Sequence, residues 1–151
     1  MTDKPSNIAI AQTLFNADPA VNDLGLELVA SEPGAVTIAL VVEDRHLNFN
    51  GTCHGGVIFT LADTAFGLAG NTHGIVAAGI NTSISYHAGS KAGDRLVARA
   101  TETTRSRSLG TYYVEVHRSD GKIVATLTGT GFITGDKHDL DSDKYQPIQK
   151  N

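Results

Sequence analysis

A single carboxylate stands in an otherwise uncharged stretch of this 151-residue chain. Asp63 is the only Asp, Glu, Lys or Arg between Arg45 and Lys91, and its neighbours are mostly apolar. An ionised carboxylate in apolar surroundings is costly unless it is paired or hydrogen-bonded. Asp63 therefore either bonds a neighbouring hydroxyl or backbone group and fixes packing, or takes part in a reaction.

The second chemical feature is the glycine pair Gly55-Gly56, which opens a predicted helix. Backbone N–H groups at a helix start lack partners, and this end of the helix dipole is positive. With no side chain at Gly55, a substrate carbonyl could approach its N–H closely and be stabilised as an oxyanion. A tight loop-to-helix junction is the alternative explanation for the glycine pair.

Asp63 and Gly55 cannot serve one carbonyl within one subunit. They are eight residues apart, which at the helical rise of about 1.5 Å per residue separates them by roughly 12 Å. A two-fold dimer with antiparallel helices would place Asp63 of one chain opposite Gly55 of the other. An enzyme that uses both groups must therefore be a dimer.

The helix that carries these residues is predicted to run from Gly55 to Asn71. It is apolar around most of its circumference, which is typical of a buried helix. One narrow stripe is polar, at intervals of three and four residues. This polar stripe consists of Thr60, Asp63, Thr64, Gly67 and Asn71.

Period-two alternation predicts strands on both sides of this helix. A weak helical pattern over residues 6–16 ends at Asp18-Pro19, and the hairpin that follows starts at Leu24. The strands after the helix are predicted over 75–87, 95–107, 111–118 and 123–134, with an Asp120-Gly121 turn before the last. The fold class is α+β: a mostly antiparallel six-stranded sheet whose concave face buries the helix. We divide the chain into an N-terminal helical segment (1–22), one domain (23–134) and a polar tail, disordered or loosely attached (135–151).

The composition excludes several functions. The net charge is −4, which gives no general attraction to nucleic acid or to an anionic membrane surface. No apolar run approaches the roughly 20 residues of a membrane helix, and the polar N-terminus has no signal-type stretch. A single cysteine, Cys53, rules out an intrachain disulfide framework. A cytoplasmic protein is the simplest expectation.

Two motifs together resemble a known family. His54-Gly55-Gly56 at the helix start is followed by Leu61-Ala62-Asp63 within the helix, and an Asn lies in the preceding loop. This combination resembles the hotdog-fold thioesterases, and most closely their phenylacetic-acid-degradation (PaaI-like) branch, over roughly residues 23–134. The resemblance implies an acyl-CoA thioesterase that acts on phenylacetyl, hydroxyphenylacetyl, another aromatic or a medium-chain acyl group. It also implies a dimer of dimers and no metal or organic cofactor beyond the substrate's coenzyme A.

The resemblance further implies roles for particular residues. Asp63 would be a general base or a nucleophile, Gly55 the oxyanion donor, and His54 and Asn48 would orient the carbonyl or the water. Substrate contacts would come from Gly56, from a strand facing the acyl group, and from cations that meet the phosphates of coenzyme A. The strand candidates are Asn81, Thr82 and Ser83. The cation candidates are Lys91, Arg105 and Arg107, for which a solvated strand edge is an equally good explanation.

Other interpretations stay open. A nucleophile pair of Cys53 and His54 is disfavoured because adjacent side chains rarely orient towards each other. A metal site using His46 as well fits no familiar ligand spacing. A hotdog hydratase or dehydratase, and an acyl-CoA binding domain without catalysis, are the alternative functions.

Overall fold

The computed structural model of the protein describes residues 7–148, in which one antiparallel sheet wraps around one long helix. The predicted order of two strands, one helix and four strands is confirmed. The helices are α1 (Asn7–Asn16), α2 (Pro19–Leu24) and α3 (Gly55–Asn71), with short 3-10 turns at Asp44–His46 and Asp143–Tyr145. The strands are β1 (Glu27–Glu32), β2 (Ala35–Val41), β3 (Ile75–Tyr86), β4 (Arg95–Arg105), β5 (Leu109–Arg118) and β6 (Ile123–Lys137).

The six strands form one sheet in the order β1-β2-β4-β5-β6-β3, and every neighbouring pair is antiparallel. Strand β3 follows α3 in the chain but pairs with β6, so it forms one edge of the sheet. The helix α3 contacts β2 to β6 on the concave face. This arrangement confirms the predicted burial of the helix against the sheet.

Alternating side chains of the strands build the core beneath α3. Val36, Ile38 and Leu40 of β2 are each at most 1% exposed, as the alternation predicts. Phe66 of α3 meets the sheet where Gly79 and Gly129 leave room, since a Cβ on either glycine would lie within 3 Å of its ring. The buried face of α3 comprises Ile58, Leu61, Ala62, Ala65, Phe66, Ala69 and Gly70.

The segment before β1 differs from the prediction. Asp18-Pro19 ends α1 but also begins α2, because the Asp18 carboxylate accepts a hydrogen bond from the Val21 N–H at 3.1 Å and Pro19 occupies the first helical position. The helix ends at Gly25, whose φ of 79° is left-handed. The predicted strand start at Leu24 is therefore wrong, and β1 begins at Glu27.

The C-terminal segment also differs from the expected disordered or loosely attached tail. Strand β6 continues past the predicted limit to Lys137. The His138 ring then lies between the Asn71 side chain and the Tyr145 hydroxyl, at 2.7 Å from each. The Ile148 N–H donates to the Asn16 carbonyl, so residues 138–148 lie against α1 and the end of α3. Within the part of the chain described, no helix is long and apolar enough to cross a membrane.

Candidate active site

The start of α3 is shaped by His54, which is its N-cap residue. The His54 backbone is extended, and its ring Nδ1 accepts a hydrogen bond from the Gly56 N–H at 2.8 Å. Because Nδ1 accepts, the proton of the neutral ring lies on Nε2, which remains a free donor on an exposed side chain. The predicted substrate contact at Gly56 is not supported through its N–H, since His54 already occupies it.

The Gly55 N–H is the one donor among the first four residues of α3 that has no acceptor within residues 7–148. Among residues 7–148 no acceptor contacts it, whereas the Val57 and Ile58 N–H groups both bond the His54 carbonyl. The Gly55 carbonyl accepts a hydrogen bond from the Tyr86 hydroxyl at 3.0 Å. A Cβ at Gly55 would lie 3.4 Å from the Tyr86 ring, so this ring forms one wall of the approach to the glycine.

Asn48 lies in a tightly braced loop before α3. Its side-chain oxygen accepts hydrogen bonds from the Asn50 N–H at 2.9 Å and from the N–H and hydroxyl of Thr52 at 3.2 Å each. The side-chain amide of Asn48 has no partner within residues 7–148, so it is available as a donor. The loop closes through the pairing of Leu47 with Cys53, directly before His54.

Asp63 lies on the third turn of α3 and is exposed in a single subunit. Thr60 and Thr64 on the same stripe donate to helix carbonyls one turn back, and neither bonds the carboxylate. Within residues 7–148 Asp63 has no hydrogen-bond or ion-pair partner, which removes the packing explanation for it. Partial burial raises the pKa of the Asp63 carboxyl above its ordinary value.

The strand candidates divide between the two faces of β3. Thr82 pairs with Gly129, whose Cα faces the Phe66 ring, so Thr82 lies on the side of the sheet that faces α3. Asn81 and Ser83 alternate to the outer face of the sheet. Thr82 is therefore the only one of the three on the same side as the helix.

The three cation candidates are not brought together. Lys91 lines a cavity of about 480 Å³ that also touches Thr52, two residues before His54. Arg105 lies near the far end of α3, where its guanidinium is 3.4 Å from the Gly70 carbonyl and 3.9 Å from the Glu102 carboxylate. Arg107 is exposed in the turn between β4 and β5. Only Lys91 is near the start of α3 in its own subunit.

The cavity beside Lys91 contains polar residues that the sequence did not indicate. Ser90 is 4% exposed, and its buried hydroxyl has no hydrogen-bond partner. Arg118 is held in place by Asp120, with a closest distance of 2.7 Å, and by the Gly89 carbonyl at 2.7 Å. Ser90, Lys91 and Arg118 together give this cavity a polar, partly cationic wall.

Cys53, the candidate nucleophile, and His46, the candidate metal ligand, are both buried. Cys53 is buried, and this burial raises its pKa to about 11, so the thiol is protonated and is not an activated nucleophile. His46 is 1% exposed and uses both ring nitrogens, to the Glu43 N–H and the Leu24 carbonyl. Among the residues described, no group of three or more His, Cys, Asp and Glu side chains is arranged to hold a metal ion.

The chain resembles known proteins over the segment that includes α3. A model of the thioesterase superfamily matches residues 50–125, about half of the chain. The chain belongs to the thioesterase superfamily. This thioesterase is 38% identical over 117 residues to a putative esterase of Archaeoglobus fulgidus, covering 78% of this chain and 76% of that one. It is 31% identical over 131 residues to the acyl-coenzyme A thioesterase PaaI of Escherichia coli, covering 83% and 94%.

Solved structures agree with the sequence relatives. The structure of the E. coli PaaI protein superposes with a TM-score of 0.83 and 30% identity, covering 85% of this chain and 93% of that chain. A Streptococcus mutans protein solved with bound acetyl CoA superposes with a TM-score of 0.73 and 33% identity, covering 76% and 92%. The predicted PaaI-like hotdog thioesterase is thus confirmed, and this thioesterase is a thioester hydrolase.

Proposed function

We propose that this thioesterase hydrolyses acyl-CoA thioesters at two equivalent sites, each formed across a two-fold dimer. The observation that carries the proposal is that α3 presents a hydrogen-bond donor, the Gly55 N–H, and a carboxylate, Asp63, on its open side. Within the described residues 7–148, no acceptor contacts the Gly55 N–H and no partner contacts the Asp63 carboxylate. The name of the E. coli relative and the acetyl CoA in the S. mutans structure support coenzyme A esters as the substrate class.

The reaction assigns one role to each group. The Asp63 carboxylate of one subunit takes a proton from water, and the water oxygen attacks the thioester carbonyl carbon. The Gly55 N–H of the other subunit stabilises the oxyanion, with the His54 Nε2–H and the Asn48 amide as further donors. Collapse breaks the C–S bond, and the departing thiolate takes the proton from Asp63, which yields the free acid and coenzyme A. In the alternative route Asp63 attacks the carbonyl itself, and water then hydrolyses the resulting anhydride.

The electrostatics of Asp63 fit either role. Partial burial raises the pKa of the Asp63 carboxyl, which makes its carboxylate a stronger base. Since no cation of its own subunit pairs with it within residues 7–148, the carboxylate is not held in a salt bridge that would have to break.

The edge strand β3 supports the dimer. Its twelve residues contain no charged side chain and no proline, the features that usually prevent an exposed edge from pairing. Pairing of β3 with its copy about a two-fold axis sets the two α3 helices side by side and antiparallel. The outer face of the sheet carries the exposed cross-strand pair Leu109 and Phe132, which supports a second contact and hence a dimer of dimers.

The remaining contacts concern the two ends of the substrate. Lys91 is suited to a phosphate or another polar group of coenzyme A, because its cavity adjoins the loop before His54. Thr82 and the half-exposed Tyr86 ring line the side of β3 that faces α3, where the acyl group must lie. An aromatic wall favours aryl acyl groups, including phenylacetyl and hydroxyphenylacetyl.

A panel of coenzyme A esters with free-thiol detection tests the proposal. The panel contains phenylacetyl, hydroxyphenylacetyl, medium-chain aliphatic and enoyl esters. We expect the wild-type protein to release thiol from at least one saturated or aryl ester and Asp63→Asn to release none. The control Asp141→Asn changes an exposed acid of the C-terminal segment and should keep wild-type activity. Full activity of Asp63→Asn on every active ester would refute the mechanism, and hydration of the enoyl ester alone would favour a hydratase.

A further inference from the structure

Phe49 is the most exposed large apolar side chain in residues 9–148, at 97%. It stands between Asn48 and Asn50 at the tip of the loop before α3. Hydrogen bonds fix the conformation of this loop. The Asn48 side-chain oxygen accepts three of them within the loop, and the Gly51 N–H donates to the Asn48 backbone carbonyl. The ring therefore presents apolar surface at a fixed position, and a contact with a second subunit would bury that surface favourably.

Gly67 is a second feature that the single subunit does not explain. It lies in the middle of α3, where glycine is less favourable than alanine by roughly 1 kcal/mol. Gly79 and Gly129 make room for the Phe66 ring, but a Cβ added at Gly67 would meet nothing within 4 Å. The space above Gly67 is therefore open on the subunit surface, on the same stripe as Asp63 and one turn beyond it.

The dimer places these two features at the same level. If Asp63 lies opposite Gly55 of an antiparallel partner, the helices cross at the level of residue 59, and Gly67 lies about 12 Å beyond this point. The same distance along the partner, towards its N-terminus, reaches about 6 Å before Gly55. The loop that carries Phe49 immediately precedes the partner's helix, so it is the chain segment expected at this level.

We propose that Phe49 packs over Gly67 of the partner subunit and closes one end of the site that it shares with Asp63 of that partner. The proposal rests on the dimer of the proposed function. The ring then belongs to the same subunit as Gly55, His54 and Asn48 of that site, and the missing side chain at Gly67 provides its space. The contact occurs twice per dimer, so it contributes both to association and to the exclusion of water from the thioester.

A size exchange tests the contact. Phe49→Ala removes the ring, Gly67→Leu fills its space, and the double variant exchanges the large and small partners. Val41→Ala is the matched control, because Val41 is also an exposed apolar residue, at 49%, but lies at the end of β2. Sedimentation over a dilution series gives the dimer dissociation constant, and thiol release gives kcat and KM.

We expect Phe49→Ala and Gly67→Leu each to weaken the dimer at least about 100-fold, since two ring contacts are lost per dimer. The double variant should recover much of the loss, and Val41→Ala should leave the dimer unchanged. An unchanged dissociation constant in Phe49→Ala would overturn the proposal, as would a Gly67→Leu dimer of normal strength with a raised KM, which would place substrate over Gly67. If Gly67→Leu does not fold, the Phe49→Ala measurement decides alone, because that ring has no role within its own subunit. Asp63→Asn tests catalysis by Asp63 separately from the Phe49–Gly67 contact. If Asp63→Asn is dimeric but inactive, the proposed function is upheld whatever the Phe49 variants show.

Discussion

Complementation between two inactive variants tests whether the site is formed by two chains. The first variant, Asp63→Asn, removes the carboxylate. The second, Gly55→Pro, removes only the N–H donor, since proline suits the first helical position and His54 before it has the extended backbone that proline requires. A Cβ at Gly55 would meet the Tyr86 ring at 3.4 Å, an ordinary van der Waals contact, and thermal melts of the purified variant establish that it folds.

The expected activities follow from the roles of the two groups. Loss of a general base lowers kcat by about 10²- to 10⁴-fold, and loss of one oxyanion donor lowers it by about 10²- to 10³-fold. In a mixed dimer, one site combines both defects and the other combines the intact Asp63 of one chain with the intact Gly55 of the other. Equal amounts of the two chains produce about half mixed dimers, each with one working site, so the mixture should reach about one quarter of wild-type activity.

The assay is thiol release from the best ester of the panel, on chains that are co-expressed and purified through a tag common to both, so that all three kinds of dimer are retained. Mass spectrometry of the intact dimers establishes the mixed fraction. Both variants alone serve as controls for residual activity. Activity no higher than the average of the two pure variants, in a sample with a demonstrated mixed fraction, would show that each site lies within one chain and would refute the distance argument.

Three further predictions concern individual groups. Because burial raises the pKa of Asp63, the base is protonated as pH falls through the raised pKa, so the acid limb of kcat/KM should lie above the pKa of an ordinary Asp. The folded state also binds this proton more tightly than the unfolded state. In thermal melts, the stability of wild type relative to Asp63→Asn should therefore fall as pH rises from the unfolded pKa through the folded one. Lys91→Ala should raise KM about tenfold and weaken the salt dependence of KM without changing kcat. The control Arg99→Ala, on the exposed outer face, should change neither KM nor kcat. An unaltered KM in Lys91→Ala would remove Lys91 from the substrate site. Tyr86→Phe removes the hydrogen bond to the Gly55 carbonyl and should lower kcat about 3- to 10-fold with little change in KM. The control Tyr113→Phe loses a hydrogen bond to Glu115 on the outer face and should leave kcat unchanged. Equal effects of the two variants would show that the Tyr86 hydroxyl does not contribute to catalysis.

The elements that local sequence patterns determine were predicted well. The helix α3 has the predicted bounds, because His54 caps its start and the apolar residues that follow give it a face that packs against the sheet. Alternation placed the buried residues of β2, and Asp120-Gly121 marks the turn between β5 and β6, where Gly121 has a φ of 86°. These features depend on neighbours within a few positions, which is the range that sequence patterns report.

The features that were missed depend on contacts distant in sequence. Tyr86 reaches Gly55 across 31 positions, and only the pairing of β3 with the edge of the sheet brings them together. The alternation of Thr82, Ile84 and Tyr86 could have placed all three on the face towards α3, but not at the helix start. Arg105 was grouped with Lys91 by its charge, whereas the register of β4 carries it to the opposite end of the helix.

Catalysis and association are linked in the proposed arrangement because one subunit leaves two groups incomplete. Within residues 7–148 the Gly55 N–H has no acceptor and the Asp63 carboxylate has no partner, and the two groups lie on the open side of one helix, too far apart to meet through a single carbonyl. Each is satisfied only when a second chain and a thioester are both present. Dilution below the dimer dissociation constant should therefore abolish activity while the helix and sheet of each subunit stay folded, and activity should return with the square of concentration in that range.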